Sequence, residues 1–212
     1  MEKLIRILFL IITLFTATDV TAQFTAEKAF AGAPNRIFPM VDSITKLDMI
    51  DYYNSGGIVA SKNAFDGESR ITKINPEQVN VKMSDASEYQ IIILPSKKDS
   101  IIAVISTLAT PIEDSNIKFY DCEWNDLQDV KFEEPKLKDW LTDEGKKSIA
   151  DVENTIPFIL VSYFYDPSLK TLMLSHNMAE YVSEENRGAV EKWLKPNLKY
   201  QWTGKKMKLL KK

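Results

Sequence analysis

The sequence predicts an α+β fold, in which an antiparallel sheet of hairpins and a β-meander carries a few packed helices. Three observations lead to this class. Apolar and polar residues alternate at residues 79–84, as is typical of a half-buried strand, and the runs at 89–94 and 101–108 are rich in isoleucine. Short polar turns join these runs, whereas parallel pairing would require long crossovers. Stretches with helical period lie on either side, at residues 43–57 and 183–196.

The first 22 residues predict a cleaved export signal. Lys3 and Arg6 supply a basic start, residues 7–15 are almost entirely apolar, and small residues precede a cleavage site at Ala22-Gln23. The apolar run is much shorter than the roughly 20 residues that span a bilayer. We therefore expect a periplasmic or secreted protein without stable membrane insertion after signal cleavage.

Composition narrows the function classes. The net charge is -3, and removing the signal leaves it unchanged because the signal carries two charges of each sign. This balance provides no field that attracts nucleic acid, so no nucleic-acid partner is expected. Cys122 is the single cysteine, and its place in a strand-like run favours a buried structural thiol over a reactive one. The chain has no Asn-x-Ser/Thr acceptor, which agrees with a bacterial periplasm.

The mature chain divides into three parts. Residues 23–124 are predicted to hold a helix and the first antiparallel strands. Residues 125–156 form a charged connection with one short helix around residues 136–141. Residues 157–212 are predicted to form a hairpin, a helix and a second hairpin. The pattern leaves open whether the two halves make one domain or two.

In the first half, Ser43 is the expected N-cap of a helix that ends at Gly56-Gly57. The apolar face of this helix is expected to contain Ile44, Leu47, Ile50 and Tyr53. Strands are expected at residues 79–83, 89–94, 101–108 and 117–124. The polar residues 95–100 make the second and third of these strands a hairpin.

In the second half, residues 158–165 and 169–174 are predicted to pair around the turn Asp166-Pro167-Ser168. A helix then runs from its N-cap Ser183 to Pro196, with acidic residues first and lysines last, as the helix dipole favours. The last hairpin joins residues 198–202 and 207–210. Five lysines lie near the C-terminus: Lys205, Lys206, Lys208, Lys211 and Lys212. We favour the interpretation that they protect an edge strand from aggregation. The alternative is that they attract an anionic surface.

Catalytic candidates are few. His176, the single histidine, begins a loop, where a solvated side chain is expected rather than a catalytic base. One histidine and one distant cysteine predict no metal site, and the seven glycines form no phosphate-binding loop, so no cofactor is expected. Asp48 and Asp51 share one helical face, and acid–base chemistry would require a second carboxylate across a cleft. The candidates for that partner are Asp66, Glu113 and Asp114.

Aromatic residues offer a binding site instead. Tyr163 and Tyr165 share one face of a predicted strand, and Tyr200 and Trp202 share one face of another. An exposed platform of these four rings could stack on sugars or pack against a protein. We take it as the expected binding site.

Three segments carry a family resemblance. Residues 47–53 (LDMIDYY), 66–69 (DGES) and 117–120 (IKFY), together with the export signal, resemble domain-of-unknown-function family number 3256, a family of secreted proteins from Gram-negative gut anaerobes. The likeness covers nearly all of the mature chain and is clearest from residue 28 to 125. The resemblance implies a free-standing exported protein and carries over no site residues, because the family has no assigned activity.

Two functions remain as hypotheses. The first is a non-enzymatic binding protein of the bacterial cell envelope, whose partner is a protein or a glycan met through the aromatic strand positions. The second is a carboxylate-dependent hydrolase that acts on envelope or dietary glycans. A cleft with converging carboxylates would favour the hydrolase.

Overall fold

The computed structural model describes residues 24–57, 59–97, 99–109 and 111–210, so the expected export signal at residues 1–22 lies outside the described residues. The helices are α1 (Ala26–Gly32), α2 (Ser43–Asn54), α3 (Leu137–Trp140), α4 (Asp143–Lys147), α5 (Ile149–Thr155), α6 (Met178–Tyr181) and α7 (Glu184–Trp193). The strands are β1 (Ser61–Lys62), β2 (Glu68–Asn75), β3 (Gln78–Ser84), β4 (Ser87–Leu94), β5 (Ile101–Ala109), β6 (Glu113–Tyr120), β7 (Ser162–Asp166), β8 (Thr171–Ser175), β9 (Asn197–Trp202) and β10 (Met207–Leu209).

The strands form two antiparallel sheets, which confirms the predicted α+β class. Strands β1 to β6 make a six-stranded meander in sequence order, and the second sheet has the order β10-β9-β8-β7. The predicted hairpins β4–β5, β7–β8 and β9–β10 are all present. Every pairing within the two sheets is antiparallel. Short connections join the paired strands, except that residues 176–196, with α6 and α7, connect β8 to β9.

The six-stranded sheet is the middle of three layers. Successive residues of a strand point to opposite faces, yet both Ile91 and Ile92 of β4 are fully buried. Ile91 packs in a core with Phe30 of α1 and Met49 of α2. Ile92 packs in a second core with the four-stranded sheet. Burial on both faces explains why β4 and β5 are rich in isoleucine.

The second core joins the two halves of the chain. Phe119 of β6 stacks on Trp202 of β9 with ring centroids 6.4 Å apart. The indole N–H of Trp202 also donates to the carbonyl of Pro95, at 2.7 Å. The charged connection contributes Trp140 and Val152 to the same core and contains three short helices, where one was expected. Its first helix, α3, lies where that one was predicted.

Helix α2 has the predicted extent but a different cap and a different buried face. Asp42, rather than Ser43, caps it, and its carboxylate accepts from the backbone N–H of Thr45 at 2.8 Å. The predicted apolar residues Ile44 and Leu47 are exposed. The buried face instead includes Lys46, whose ammonium group donates to the carbonyl of Ala33 at the end of α1. This contact satisfies a carbonyl at a helix C-terminus and turns α2 away from the predicted face.

Helix α7 has its predicted N-cap at Ser183. Helices α1 and α6 and strands β1 and β2 were not predicted. The first strand of the second half is shorter than expected: β7 starts at Ser162, and residues 158–161 lie outside any helix or strand. These four residues line the candidate site.

Candidate functional site

The expected aromatic platform is wrong. Tyr163, Tyr165, Tyr200 and Trp202 are all buried, and none is more than 9% exposed. They do share a face as predicted, but the six-stranded sheet covers that face. Paired residues on the same face, such as Leu172 beside Tyr165, belong to the same core. Burial also raises the pKa of Tyr163, Tyr165 and Tyr200, and that of Tyr200 rises to about 12.

His176 is also placed differently from the expectation. Its ring is half-buried and lies edge-on to Trp140, with ring centroids 5.1 Å apart. Nε2 is 2.9 Å from the carbonyl of Lys195, and Nδ1 accepts from the N–H of Met178 at 3.3 Å. Burial lowers the pKa of this histidine. Both ring nitrogens therefore serve the fold, and neither is held ready to take a proton from a substrate.

The remaining sequence candidates do not converge. Asp48 and Asp51 are exposed on α2, as expected for a solvated helical face. Cys122 is half-buried. The pKa of its thiol is raised mainly by burial and further by three nearby carboxylates. The thiol is therefore a poor nucleophile. Among the described residues, no group of three or more His, Cys, Asp or Glu side chains is arranged to hold a metal ion.

The loop at residues 63–69 is a polar turn organised by Asn63. Its side-chain carbonyl accepts from the N–H groups of Phe65 and Gly67. Its side-chain NH2 group donates to Ser69 and to the carbonyl of Met83. All the polar atoms of this amide are thus used to close the turn and to attach it to β3.

A cleft of about 600 Å³ lies where the two sheets meet, beside the first residues of β6. Its walls are residues 114–116 of β6, residues 134, 135, 137 and 140 of the connection, and residues 156–161 and 163. Asp114 was predicted from the sequence as the carboxylate partner of Asp48 or Asp51, but those two residues do not line the cleft. The apolar wall was not predicted. The one signal was length, because the predicted strand 158–165 is two residues longer than its partner 169–174.

Hydrogen bonds hold the polar wall against the start of β7. Asp114 accepts from the N–H of Val161 at 3.2 Å, and the N–H of Ser115 donates to the carbonyl of Val161 at 2.8 Å. The hydroxyl of Ser115 accepts from the N–H of Tyr163 at 3.0 Å and shares a hydrogen bond with Thr107. One end of the cleft is therefore rigidly built.

A second wall, which adjoins the polar one at Val161, is apolar and has free backbone groups. Residues 156–161 have the sequence IPFILV, and all six line the cleft. Ile156 and Val161 at the two ends are buried, whereas the side chains between them are half-buried or exposed. Within the described part of the chain, no carbonyl of residues 157–160 and no N–H of residues 158–160 has a hydrogen-bond partner, and Pro157 has no N–H. These groups are open to water or to a ligand.

Two carboxylates make the cleft acidic. The pKa of Tyr163 is raised first by burial and then by the charges of Glu134 and Asp114, so both carboxylates act on one phenol. No lysine, arginine or histidine is among the residues that line the cleft in the described ranges. The cleft thus combines negative charge, an apolar wall and unpaired backbone groups.

A smaller polar groove of about 260 Å³ lies on the helix-covered face of the six-stranded sheet. Arg36, Lys118 and Asp126 border it. The guanidinium group of Arg36 donates to the carbonyl of Trp124, and Tyr120 and Asp126 form an isolated β-bridge. Arg36 thus helps to attach the loop after β6.

Comparison with known proteins places the fold. A model of the family described as protein of unknown function (DUF3256) matches residues 17–207. Among solved structures, the chain is similar to a domain of an uncharacterized protein from Porphyromonas gingivalis W83, with 21% sequence identity and a TM-score of 0.74. The alignment covers 88% of this chain and 98% of that one. A comparison with curated proteins finds no match. Across the described residues, no helix has the length and apolar character needed to cross a bilayer.

Proposed function

The chain belongs to the family described as protein of unknown function (DUF3256), and we propose that it is an exported, non-enzymatic binding protein of the bacterial cell envelope whose ligand occupies the cleft beside β6. The observation that carries this proposal is the cleft itself. Its volume of about 600 Å³ falls in the usual range for ligand sites, and it combines a polar wall with an apolar one. The Asp114 and Ser115 hydrogen bonds hold the polar wall in place before any ligand arrives.

The binding test is chemical-shift mapping by NMR on the ¹⁵N-labelled mature chain. Two probes are used: soluble peptidoglycan fragments freed of their stem peptides, and short synthetic peptides of alternating valine with lysine or glutamate. We expect at least one probe to shift resonances of residues 114–116 and 156–161 while the probe itself stays chemically unchanged. Shifts spread over the whole surface, or none in the cleft, would contradict the proposal.

A matched pair of variants shows whether the cleft is the site. Leu160 lines the cleft and Leu169 is exposed on the β7–β8 turn, outside its lining. Leu160→Arg should weaken binding of the active probe by about tenfold or more, because it places a long charged side chain in the apolar wall. Leu169→Arg should leave the affinity unchanged. Equal effects of the two substitutions would remove the cleft from the proposal.

The export part of the proposal is supported by the basic start, apolar run and small residues of residues 1–22. N-terminal sequencing of protein recovered from native cells should find Gln23 as the first residue. A chain that begins at Met1 and remains in the cytosol would contradict export and leave the cleft experiments unaffected.

One observation favours the hydrolase as a second candidate. Asp114 and Glu134 both line the cleft, and glycoside hydrolysis uses a pair of carboxylates. Incubation of the mature chain with peptidoglycan and with dietary polysaccharides tests this. Release of reducing ends that is lost in both Asp114→Asn and Glu134→Gln would establish the hydrolase and overturn the non-enzymatic proposal.

A further inference from the structure

We propose that the ligand of the cleft is an extended peptide with basic side chains, which pairs with the backbone of residues 157–160. This inference rests on the proposed function, because it requires the cleft to be the binding site. It adds the chemical class of the ligand and the way in which that ligand is held.

Residues 158–160 form a strand-favouring segment that has no partner strand. Phe158, Ile159 and Val161 have side chains that favour strands, and the sequence pattern predicts a strand from residue 158. In the structure β7 begins only at Ser162, because β8 ends at Ser175 and the chain then enters α6. No neighbouring strand is left to pair with residues 158–160, whereas Val161 is already held by Asp114 and Ser115 of β6. An added strand would complete the pairing that the sequence favours, which is the recognition mode of β-strand addition.

The second argument concerns what the cleft offers to a ligand. Side chains of an extended segment alternate between two sides, so a cleft that meets only one face of such a segment contacts every second residue. Here six consecutive residues, 156–161, line the cleft, which is more than the alternate side chains of an extended segment would supply. The carbonyls of residues 157–160 and the N–H groups of residues 158–160 have no partners in the described part of the chain. A peptide supplies the alternating N–H and C=O groups that match them.

The third argument is charge. Asp114 and Glu134 line the cleft, and no cationic side chain is among the described residues that line it. A ligand with lysine or arginine side chains would meet this negative charge, whereas an acidic ligand would be repelled. The apolar wall accepts the intervening apolar side chains of an extended peptide.

The lining of the cleft favours a peptide over a glycan. Sugars are bound by the open faces of aromatic rings, and two of the three rings that line the cleft, Trp140 and Tyr163, are buried. The third ring, Phe158, lies edge-on to Tyr181 with centroids 5.2 Å apart. The unpaired backbone groups of residues 157–160 therefore offer a ligand more contacts than the aromatic rings do.

The experiment uses the folded mature chain and four synthetic peptides. These are Ac-KVKVK-amide, its counterpart Ac-EVEVE-amide, and two forms of the first peptide that are methylated on alternate backbone nitrogens, one in each register. We expect Ac-KVKVK-amide to bind and to shift resonances of residues 156–161, whereas the acidic peptide should not bind. Methylation in the register that faces residues 157–160 should weaken binding by about tenfold, because it removes donors without changing any side chain. An unchanged affinity for both methylated forms would overturn backbone pairing.

The charge argument has its own matched pair. Glu133 and Glu134 are adjacent and both exposed, but only Glu134 lines the cleft. Glu134→Gln should weaken binding of Ac-KVKVK-amide by about threefold to tenfold and reduce its salt dependence, and Glu133→Gln should change neither. Equal effects of the two would overturn the charge part of the inference. Both positions are on the surface, so neither substitution threatens the fold.

The glycan probe separates the two levels of the proposal. If peptidoglycan fragments shift the cleft resonances and no peptide does, the peptide inference is wrong and the binding function stands. If neither probe perturbs the cleft, both are wrong.

Discussion

The side-chain amide of Gln90 pairs with the backbone of Tyr165 in both directions. The N–H of Tyr165 donates to Oε1 at 2.9 Å, and Nε2 donates to the carbonyl of Tyr165 at 2.7 Å. Gln90 is on β4 and Tyr165 is on the edge strand β7, and both residues are buried. The amide thus takes the place of a neighbouring strand, and it joins the two sheets at a point where an unpaired edge would otherwise be buried.

Gln90→Leu should destabilise the protein by about 3 kcal/mol, because it leaves a buried N–H and a buried C=O of Tyr165 without partners. Urea unfolding followed by tryptophan fluorescence measures this change. Gln201→Leu is the matched control, because the amide of Gln201 donates to the carbonyls of Leu169 and Lys170 at an exposed site where water can replace it. Its cost should be below about 1 kcal/mol. Similar costs at the two positions would contradict the role assigned to Gln90.

Gln90→Glu should make stability depend on pH. A protonated glutamic acid can still donate to the carbonyl of Tyr165, whereas a carboxylate would be buried facing that carbonyl. The pKa of the new side chain is therefore expected to rise above its unfolded value of about 4.3. A raised folded-state pKa gives stability that is fully present below pH 4.3 and is lost as pH rises through the folded-state value. Unfolding free energies of the variant and the parent between pH 4 and 8 test this, and parallel profiles would contradict it.

Two glycines give opposite predictions for the same substitution. A Cβ added at Gly145 in α4 would overlap the carbonyl oxygen of Trp193 and lie 3.0 Å from its carbonyl carbon. Gly145→Ala should therefore cost about 3 kcal/mol, because the clash is with the backbone. Gly188, inside α7, has nothing within 4 Å of its added Cβ, and Gly188→Ala should stabilise by about 1 kcal/mol. Thermal unfolding of both variants checks the pair, and the same sign for both would contradict the packing of α4 on α7.

His176 should make the protein less stable in mild acid. Its pKa is lowered below the ordinary 6.5, mainly by burial, so the unfolded chain binds a proton more readily than the folded one. The stability held by the neutral ring is present above pH 6.5 and is lost as pH falls through the folded-state pKa. Protonation would also place a second N–H at Nδ1, against the N–H of Met178. His176→Ala should flatten the dependence on pH between 6.5 and 5, and NMR of the ring should show titration below 6.5 in the parent. Titration above 6.5 would contradict this account.

Tyr200 should contribute to loss of stability in alkali. Burial and the charges of Asp139 and Glu133 raise its pKa to about 12, and its hydroxyl donates to the carbonyl of Glu133 at 3.3 Å. Because the folded-state pKa is raised, this contribution is intact below pH 10 and is lost as pH rises from about 10 to 12. Tyr200→Phe should reduce the loss over this range, as measured by circular dichroism in urea. A steeper loss in the variant would show that the phenol is not held neutral by the fold.

Local sequence patterns predicted many of the strands, turns and helices. The period of two along residues 79–83 and the isoleucine-rich run at 101–108 predict strands, and both runs are strands in the structure. The hairpin around Asp166-Pro167-Ser168 was predicted from its turn chemistry, and the carboxylate of Asp166 does close the turn by accepting from Ser168. Ser183 and the order of charges along α7 predicted that helix, because capping and helix-dipole interactions involve residues close together in sequence.

Most of the cleft could not be predicted from the sequence. Tyr163 and Trp202 share faces as their spacing implies, but spacing does not say whether water or a second sheet meets those faces. Ile44 and Leu47 have helical spacing and are nonetheless exposed, because the end of α1 draws Lys46 inward. Glu134 and Leu160 are 26 positions apart in sequence and lie on one cleft only because the connection folds back over the second core.

The sequence by itself determined the α+β class, the antiparallel pairing and the positions of the turns. These depend on the alternation of side chains and on backbone preferences that act over a few residues. The tertiary structure alone decided which faces are buried, that residues 158–160 have no partner strand, and that Asp114 and Glu134 line one cleft. The physical reason is that burial and electrostatics depend on which layer covers a surface, and that is settled between segments far apart in the chain.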